Sequence, residues 1–158
     1  MSETTLESFT QRMAQITAEI AERPIDAALQ DYLNERFPAG GELFEQIRQD
    51  CLRAEAEGWM CQHEHGGIRF GRVIKPGQAT DGFSVDVVRM RDVKGPHHRH
   101  PHGEIDMVMP TDGDAEFDGQ GAGWKVYPAN SAHHPTVSNG EALVLYLLPE
   151  GAIEFSRA

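Results

Sequence analysis

From Gly58 onward the chain breaks into short β-rich runs, each closed by glycine, proline or asparagine, and nothing else in the sequence limits the fold as tightly. Ile68–Ile74 ends at Pro76-Gly77, Phe83–Arg91 ends near Gly95-Pro96, and Glu104–Met109 ends at Pro110. Shorter stretches at 115–117 and 124–127 are separated by Gly119, Gly121 and Gly123. The longest run, Ala142–Leu148, stops at Pro149, and Ala152–Phe155 can add a short last strand. Proline removes a ladder donor and glycine frees the turns, so these runs read as many short strands. A doubly wound parallel sheet would need helices alternating with them, and the spacing leaves no room. Residues 59–158 are therefore expected to form an antiparallel sandwich or small closed barrel.

The first 58 residues follow a different period. Leu6, Phe9, Met13, Ile16 and Ile20 share one helical face, with Thr4 or Thr5 as the cap and Pro24 as the stop. Ile25, Ala28, Leu29, Tyr32, Leu33 and Phe37 form a second stripe, capped by Asp26 and ended by Pro38-Ala39-Gly40-Gly41. Leu43, Phe44, Ile47, Cys51 and Ala54 form a third over 42–57, with Gly58 to end it. An apolar stripe needs a partner but does not name one. The reading is a helical layer, residues 1–58, that covers the β unit, residues 59–158, the two making one compact body of 158 residues.

Charge narrows the partners. The formal net charge is −11, which repels phosphate backbones and anionic membrane surfaces, so neither nucleic acid nor membrane is expected as a partner. No apolar run approaches the roughly 20 residues that span a bilayer. The polar, acidic start MSETTLESFT does not read as a secretory signal or transit peptide. Cys51 and Cys61 stand in no metal or redox spacing, and read as reduced, packed thiols of a cytoplasmic protein.

Six of the eight histidines fall in two clusters. The first is Gly95-Pro-His-His-Arg-His-Pro-His-Gly-Glu104-Ile-Asp106. In a regular strand His98, His100, His102, Glu104 and Asp106 would share a face, although Pro101 and Gly103 favour a bend. Imidazoles and a carboxylate from one strand can fill three positions of a metal, and a distant strand can supply a fourth. The second cluster, Tyr127-Pro-Ala-Asn-Ser-Ala-His133-His134, offers that ligand.

These two segments resemble the motifs of the cupin superfamily. His98-Arg-His100-Pro-His-Gly-Glu104 fits the His-x-His, three or four residues, Glu pattern of the first motif. Pro128-Ala-Asn130-Ser-Ala-His133 stands in for Pro-x-Gly-x-x-His of the second, with Asn able to take the left-handed turn that Gly would supply. The resemblance implies a mainly β fold: a single cupin jelly-roll barrel (a double-stranded β-helix) behind an N-terminal α-helical extension. It implies His98, His100, Glu104 and His133 as ligands of one divalent metal ion per chain. Thr111 stands where the family expects a glycine, and Gly113 lies two residues on, which leaves a rival register of His100, His102 and Asp106. His134 is likewise an alternative to His133. Three imidazoles and a carboxylate suit Fe, Mn, Ni, Zn or Co, so the ligand set does not fix the metal.

The layout and the two segments are most similar to the 4-hydroxylaminobenzoate lyase family. That likeness implies conversion of 4-hydroxylaminobenzoate to 3,4-dihydroxybenzoate and ammonia, in nitroaromatic degradation, by a homodimer. His102, Asp106 and His134, where not ligands, are candidates to move protons. A small aromatic carboxylate substrate needs a cation, and Arg69, Arg72, Arg89, Arg91 and Arg99 are available. Arg89 and Arg91 share one face of the strand that feeds the first histidine cluster; they meet the substrate if that face is interior and are surface charges if it is exterior. Trp124, Tyr127 and Tyr146 can stack on a ring or simply fill the core. An Fe(II) dioxygenase acting on a small acid and a non-catalytic ligand-binding cupin are the alternatives.

Overall fold

The computed structural model describes residues 5–155. Three helices come first: α1 Leu6–Ile20, α2 Ala27–Arg36 and α3 Glu42–Glu57. Ten strands follow: β1 His63–His65, β2 Ile68–Ile74, β3 Phe83–Lys94, β4 His98–His100, β5 Glu104–Pro110, β6 Glu116–Phe117, β7 Gly123–Tyr127, β8 Ser131–His133, β9 Thr136–Pro149 and β10 Glu154–Phe155. The order β1-β2-β3-β9-β5-β7, with β6 also on β9, makes a seven-stranded sheet, and β10-β4-β8 makes a three-stranded one. Every pairing is antiparallel.

Local chemistry sets the helix ends. Thr5 caps α1 through a reciprocal pair of bonds with Ser8; Thr4, the other cap the sequence offers, lies outside the described residues. The Asp26 carboxylate accepts from the Leu29 N–H at 3.1 Å. Gly58 ends α3 at φ +90°, a left-handed turn that costs glycine nothing. Phe9, Met13, Ile16, Leu29, Leu33, Phe44, Ile47 and Ala54 all lie buried, as the stripes require. Leu6, in the first turn of α1, remains 49% exposed.

The large sheet has two apolar faces, which explains the unbroken Leu-Val-Leu-Tyr-Leu-Leu run of β9. Val85, Val87, Ile105, Met107, Leu143, Leu145 and Leu147 pack with the three helices in one core. Val88, Met90, Val108, Val144, Tyr146 and Leu148 point the other way and form a second core. Alternation at period 2 does this sorting. On that inner face stand His98 of β4, 6.5 Å from the Tyr146 ring, and His133 of β8, 6.1 Å from Phe117. The small sheet thus closes over the inner face of the large one, and the helices cover its back. This is a mainly β cupin-type barrel with an N-terminal helical layer. No described helix is long and apolar enough to cross a membrane.

β7 lies at the end of the large sheet, where its free backbone groups need partners. α2 supplies them. Asn34 Oδ1 accepts from the Trp124 N–H at 2.8 Å, its Nδ2 donates to the Trp124 carbonyl at 3.0 Å, and Gln30 accepts from the Val126 N–H at 2.8 Å. Gly123 is needed for this approach, since a Cβ there would sit 2.9 Å from Asn34 Oδ1. Asn34→Ala leaves the Trp124 N–H without that acceptor, and is expected to lower the unfolding free energy by about 1–3 kcal/mol. Urea denaturation checks it: an unchanged midpoint would mean that α2 does not secure this edge.

Candidate metal centre

The loop that divides β4 from β5 builds the site. His98 and His100 alternate inward from β4 and are buried. Pro101 and His102 turn the chain, and Gly103 returns it at φ +96°. Only glycine fits there, because a Cβ would lie 2.8 Å from Ile25 Cγ2 and 3.0 Å from the Tyr127 carbonyl. Glu104 then enters β5 with its side chain wholly buried. The regular strand that would project five residues to one side is thus replaced by two strands in different sheets. The turn holds His102 outside, with 52% of its side chain exposed and Nε2 3.3 Å from Glu150.

β8 brings the fourth group. Antiparallel pairing sets His98 opposite His133 and His100 opposite Ser131. Asn130, one residue before β8, takes φ +66° and donates its N–H to the His100 carbonyl at 2.7 Å, so asparagine makes the turn for which the motif has glycine. Donor atoms of His98, His100, Glu104 and His133 all lie within 4.8 Å of one another. The Glu104 carboxylate is the hub, 3.3 Å from His98 Nε2, 3.1 Å from His100 Nε2 and 3.4 Å from His133 Nε2. His98 Nε2 and His133 Nε2 are 3.1 Å apart.

The outer ring nitrogens fix which way the inner ones face. Ser131 gives its proton to the Pro128 carbonyl at 2.6 Å, so its oxygen accepts from His100 Nδ1 at 2.9 Å. Asp118 Oδ2 accepts from His133 Nδ1 at 2.6 Å and also from the Tyr127 hydroxyl, and Asp118 Oδ1 from the Thr136 N–H at 2.9 Å. His100 Nε2 and His133 Nε2 are thereby left as lone pairs aimed inward. His100 Nε2 and both Glu104 oxygens are buried without a hydrogen-bond partner. Such orphaned atoms demand explanation, and a divalent cation that takes nitrogen and oxygen ligands would satisfy them together. The donor set therefore fits a metal.

Electrostatics agree with this geometry. Burial pushes the Glu104 carboxyl up, but the facing imidazoles of His100, His133 and His98 override it and hold the group well below the usual carboxylate range. Asp106, two residues on and fully buried, goes the other way: burial first, then the Glu104 charge, raise it well above that range. Burial opposes charge on His133, yet Asp118 and Glu104 outweigh it and push the imidazole up to about 9, so positive charge is favoured at its Nε2, brought either by a proton or by a metal that displaces it.

Other sequence candidates lie elsewhere. His134 bonds the Gly95 carbonyl through Nδ1 at 3.2 Å and lies 4.9 Å from the His97 ring, tilted by 56°, outside the four-donor group. Asp106 is inside the barrel, both oxygens unpartnered, but is not among the four either. Arg89 lies on the exterior, helix-facing side of β3, where Nε bonds Glu55 of α3 at 2.7 and 2.8 Å and Nη1 bonds Glu141. Arg91, on the same face, pairs with Asp112 at 3.1 Å. Both are structural or surface charges and do not meet the cluster. Trp124 packs edge-on to Phe44 at 6.3 Å and donates to the Phe37 carbonyl at 2.9 Å, on the helix side of the sheet. Tyr127 does reach the cluster, 4.3 Å from the His133 ring and 5.5 Å from His100. Asp118 and Ser131 were not singled out from sequence: a lone acid after a two-residue strand and a serine in a turn carry no recognisable spacing.

A cavity of about 410 Å³ opens beside the cluster. His98 and Tyr146 form its inner end, and Phe70, Val88, Met90 and Phe155 line its apolar walls.

A barrel with this candidate metal site and cavity is of the cupin type, and comparison with known proteins narrows it to a cupin lyase. Residues 11–155 match the family model described as "PnbB: 4-hydroxylaminobenzoate lyase". A 4-hydroxylaminobenzoate lyase of Pseudomonas putida is 32% identical over 155 residues, covering 87% of this chain and 88% of that protein. One from Nocardioides sp. (strain LMS-CY) is 31% identical over 146 residues, covering 87% and 86%. The chain belongs to the 4-hydroxylaminobenzoate lyase family. In fold alone it is similar to a solved DMSP lyase chain from the RdDddP and RnDddQII structures, with a TM-score of 0.52 at 15% identity, covering 97% of this chain and all of that one.

Asp118→Asn keeps the shape but removes the charge that orients His133, and is expected to weaken divalent-metal affinity by about 10–100-fold. Competition with a chromophoric chelator measures this, and wild-type affinity in the variant would show that Asp118 does not support the site.

Proposed function

We propose that this protein converts 4-hydroxylaminobenzoate to 3,4-dihydroxybenzoate and ammonia, with a divalent metal held by His98, His100, Glu104 and His133. The observation that carries the reading is an apolar cavity, of a size to take one substituted benzene ring, that ends on His98 of the donor cluster in a chain of this family.

The net reaction takes up one water and releases one ammonia, so no oxidant is needed. The N–O bond breaks with its electron pair leaving on oxygen, and that oxygen takes a proton and departs as water. One water adds at the ring carbon next to the nitrogen-bearing carbon. A second hydrolyses the imine left at that carbon, and loss of the ring proton restores aromaticity. A bound divalent metal would supply Lewis acidity to an oxygen ligand and acidify a bound water.

The chain's own groups have the remaining tasks. Tyr146 and Phe155, 6.5 and 5.7 Å from the His98 ring, offer faces to an aromatic ring and keep water from it. Asp106, buried beside Glu104 with no partner, is the proposed proton donor for the leaving oxygen. His102, exposed against Glu150, and His134, turned to the Gly95 carbonyl, are not assigned that role. Tyr127 and Asp118 hold the His133 ring.

An anaerobic assay of the metal-loaded protein tests the proposal. One ammonia and one 3,4-dihydroxybenzoate per 4-hydroxylaminobenzoate, at the same rate with and without oxygen, is the expected result. Turnover that requires oxygen, or none under either condition, would overturn it.

A further inference from the structure

Among the residues lining the cavity, Arg72 is the one lysine or arginine. It stands on β2, opposite Asp86 of β3; Asp86 is opposite Tyr146 of β9, and Tyr146 opposite Asp106 of β5. These four side chains form one row across the inner face, on four strands and so three strand spacings from end to end. At about 4.8 Å per strand the backbones of Arg72 and Asp106 are about 14 Å apart. Arg72, Asp86 and Tyr146 of this row line the cavity, together with His98 of the donor cluster.

The guanidinium is held in place. Nε donates to Asp86 Oδ1 at 2.7 Å, and Nη2 donates to Asp86 Oδ2 at 3.2 Å and to the Gly151 carbonyl at 3.1 Å. Three of its five N–H groups are thus committed, and the two on Nη1 have no partner among the described residues. Gly151 is part of this arrangement: it takes φ +67°, and a Cβ on it would sit 2.7 Å from Nη1 and 3.1 Å from Cζ. Residue 151 without a side chain leaves Nη1 its room. Asp86, His63, His65 and His98 are the other titratable groups along the cavity besides Tyr146. A fixed guanidinium with spare donors, in the lining of an apolar cavity that also reaches His98 of the donor cluster, matches an anionic group on a rigid aromatic ligand.

We propose that Arg72 is an anion subsite that takes the ring carboxylate, so that substrate is gripped at one end by Arg72 and presented to the cluster at the other. This rests on the reading of the cavity as a site for an aromatic carboxylate. Arg72 binds and positions; it does not touch the reacting nitrogen. Arg69, by contrast, pairs with Glu55 at 3.7 Å, and Arg99 with Glu154 at 2.9 Å, and neither lines the cavity.

Titration calorimetry of the full-length, metal-loaded protein with 4-hydroxybenzoate and with 4-hydroxybenzyl alcohol separates the carboxylate from the ring. The wild type is expected to prefer the carboxylate by about 10–100-fold, the range of a charge-assisted hydrogen bond. Arg72→Met is expected to lose that preference with metal content unchanged, and Arg72→Lys to keep part of it. The double variant R72M/D86N, which leaves no unpaired carboxylate behind, gives the same loss if the single variant folds poorly. Equal binding of the two compounds by the wild type, or a full preference in every Arg72 variant, overturns the subsite. Selective binding through Arg72 without ammonia release from 4-hydroxylaminobenzoate would keep the subsite and defeat the proposed reaction. Ammonia release with a preference indifferent to Arg72 would do the reverse.

Discussion

Glu104 is a carboxylate with no exposure to water, surrounded by three imidazole nitrogens at 3.1 to 3.4 Å. An isolated buried charge of this kind is costly, and it persists only where opposite charge or hydrogen bonds answer it. The neighbours that answer it are themselves constrained. Two of the three imidazoles give their outer N–H to Ser131 and Asp118, which turns their inner nitrogens into acceptors. Acceptors converging on a common point require protons or a cation there, and three imidazoles with one carboxylate fit a divalent metal. The Gly103 turn, the Asn130 turn and the β4–β8 pairing all serve to bring these atoms together.

The fold makes that convergence affordable by isolating it. The large sheet has a helical layer on one face and the site on the other, so the two needs do not compete. Ion pairs such as Arg89 with Glu55 and Arg12 with Asp50 lie on the helix side, and Asn34 and Gln30 finish the β7 edge from there. The inner face keeps a few charged groups (Arg72, Asp86, Glu104 and Asp106) in an otherwise apolar barrel. A rigid apolar slot beside a charged cluster favours a flat, mostly apolar ligand with polar groups at its ends.

Much of this was legible in the residues. The 3.6-residue stripes gave three helices close to their observed limits, and the glycine and proline punctuation located the main strands. The His-x-His and Glu spacing of the first motif named three members of the four-donor group, and the second motif named His133, because a family motif records a geometry that residue order alone hides. Period-2 reasoning alone would have put His102 on the face of His98 and His100; Gly103 and the turn before it break that period. The arginines were harder. Whether Arg89 or Arg72 faces the cavity depends on which side of the sheet the helices cover, and sequence does not state that. Trp124 was drawn to the core by α2 and α3, a tertiary choice that its neighbours in sequence do not reveal. Asp118 acts from the turn after β6 and has no motif.

The central claim is that His98, His100, Glu104 and His133 surround one cation, in that register and not the one built on His102 and Asp106. Metal content per chain in His100→Ala and His102→Ala, measured side by side after identical loading and desalting, tests it most directly. Loss of stoichiometric metal in the first and full retention in the second is the result this account requires. Stoichiometric metal in His100→Ala, or its loss from His102→Ala with the fold intact, would contradict it.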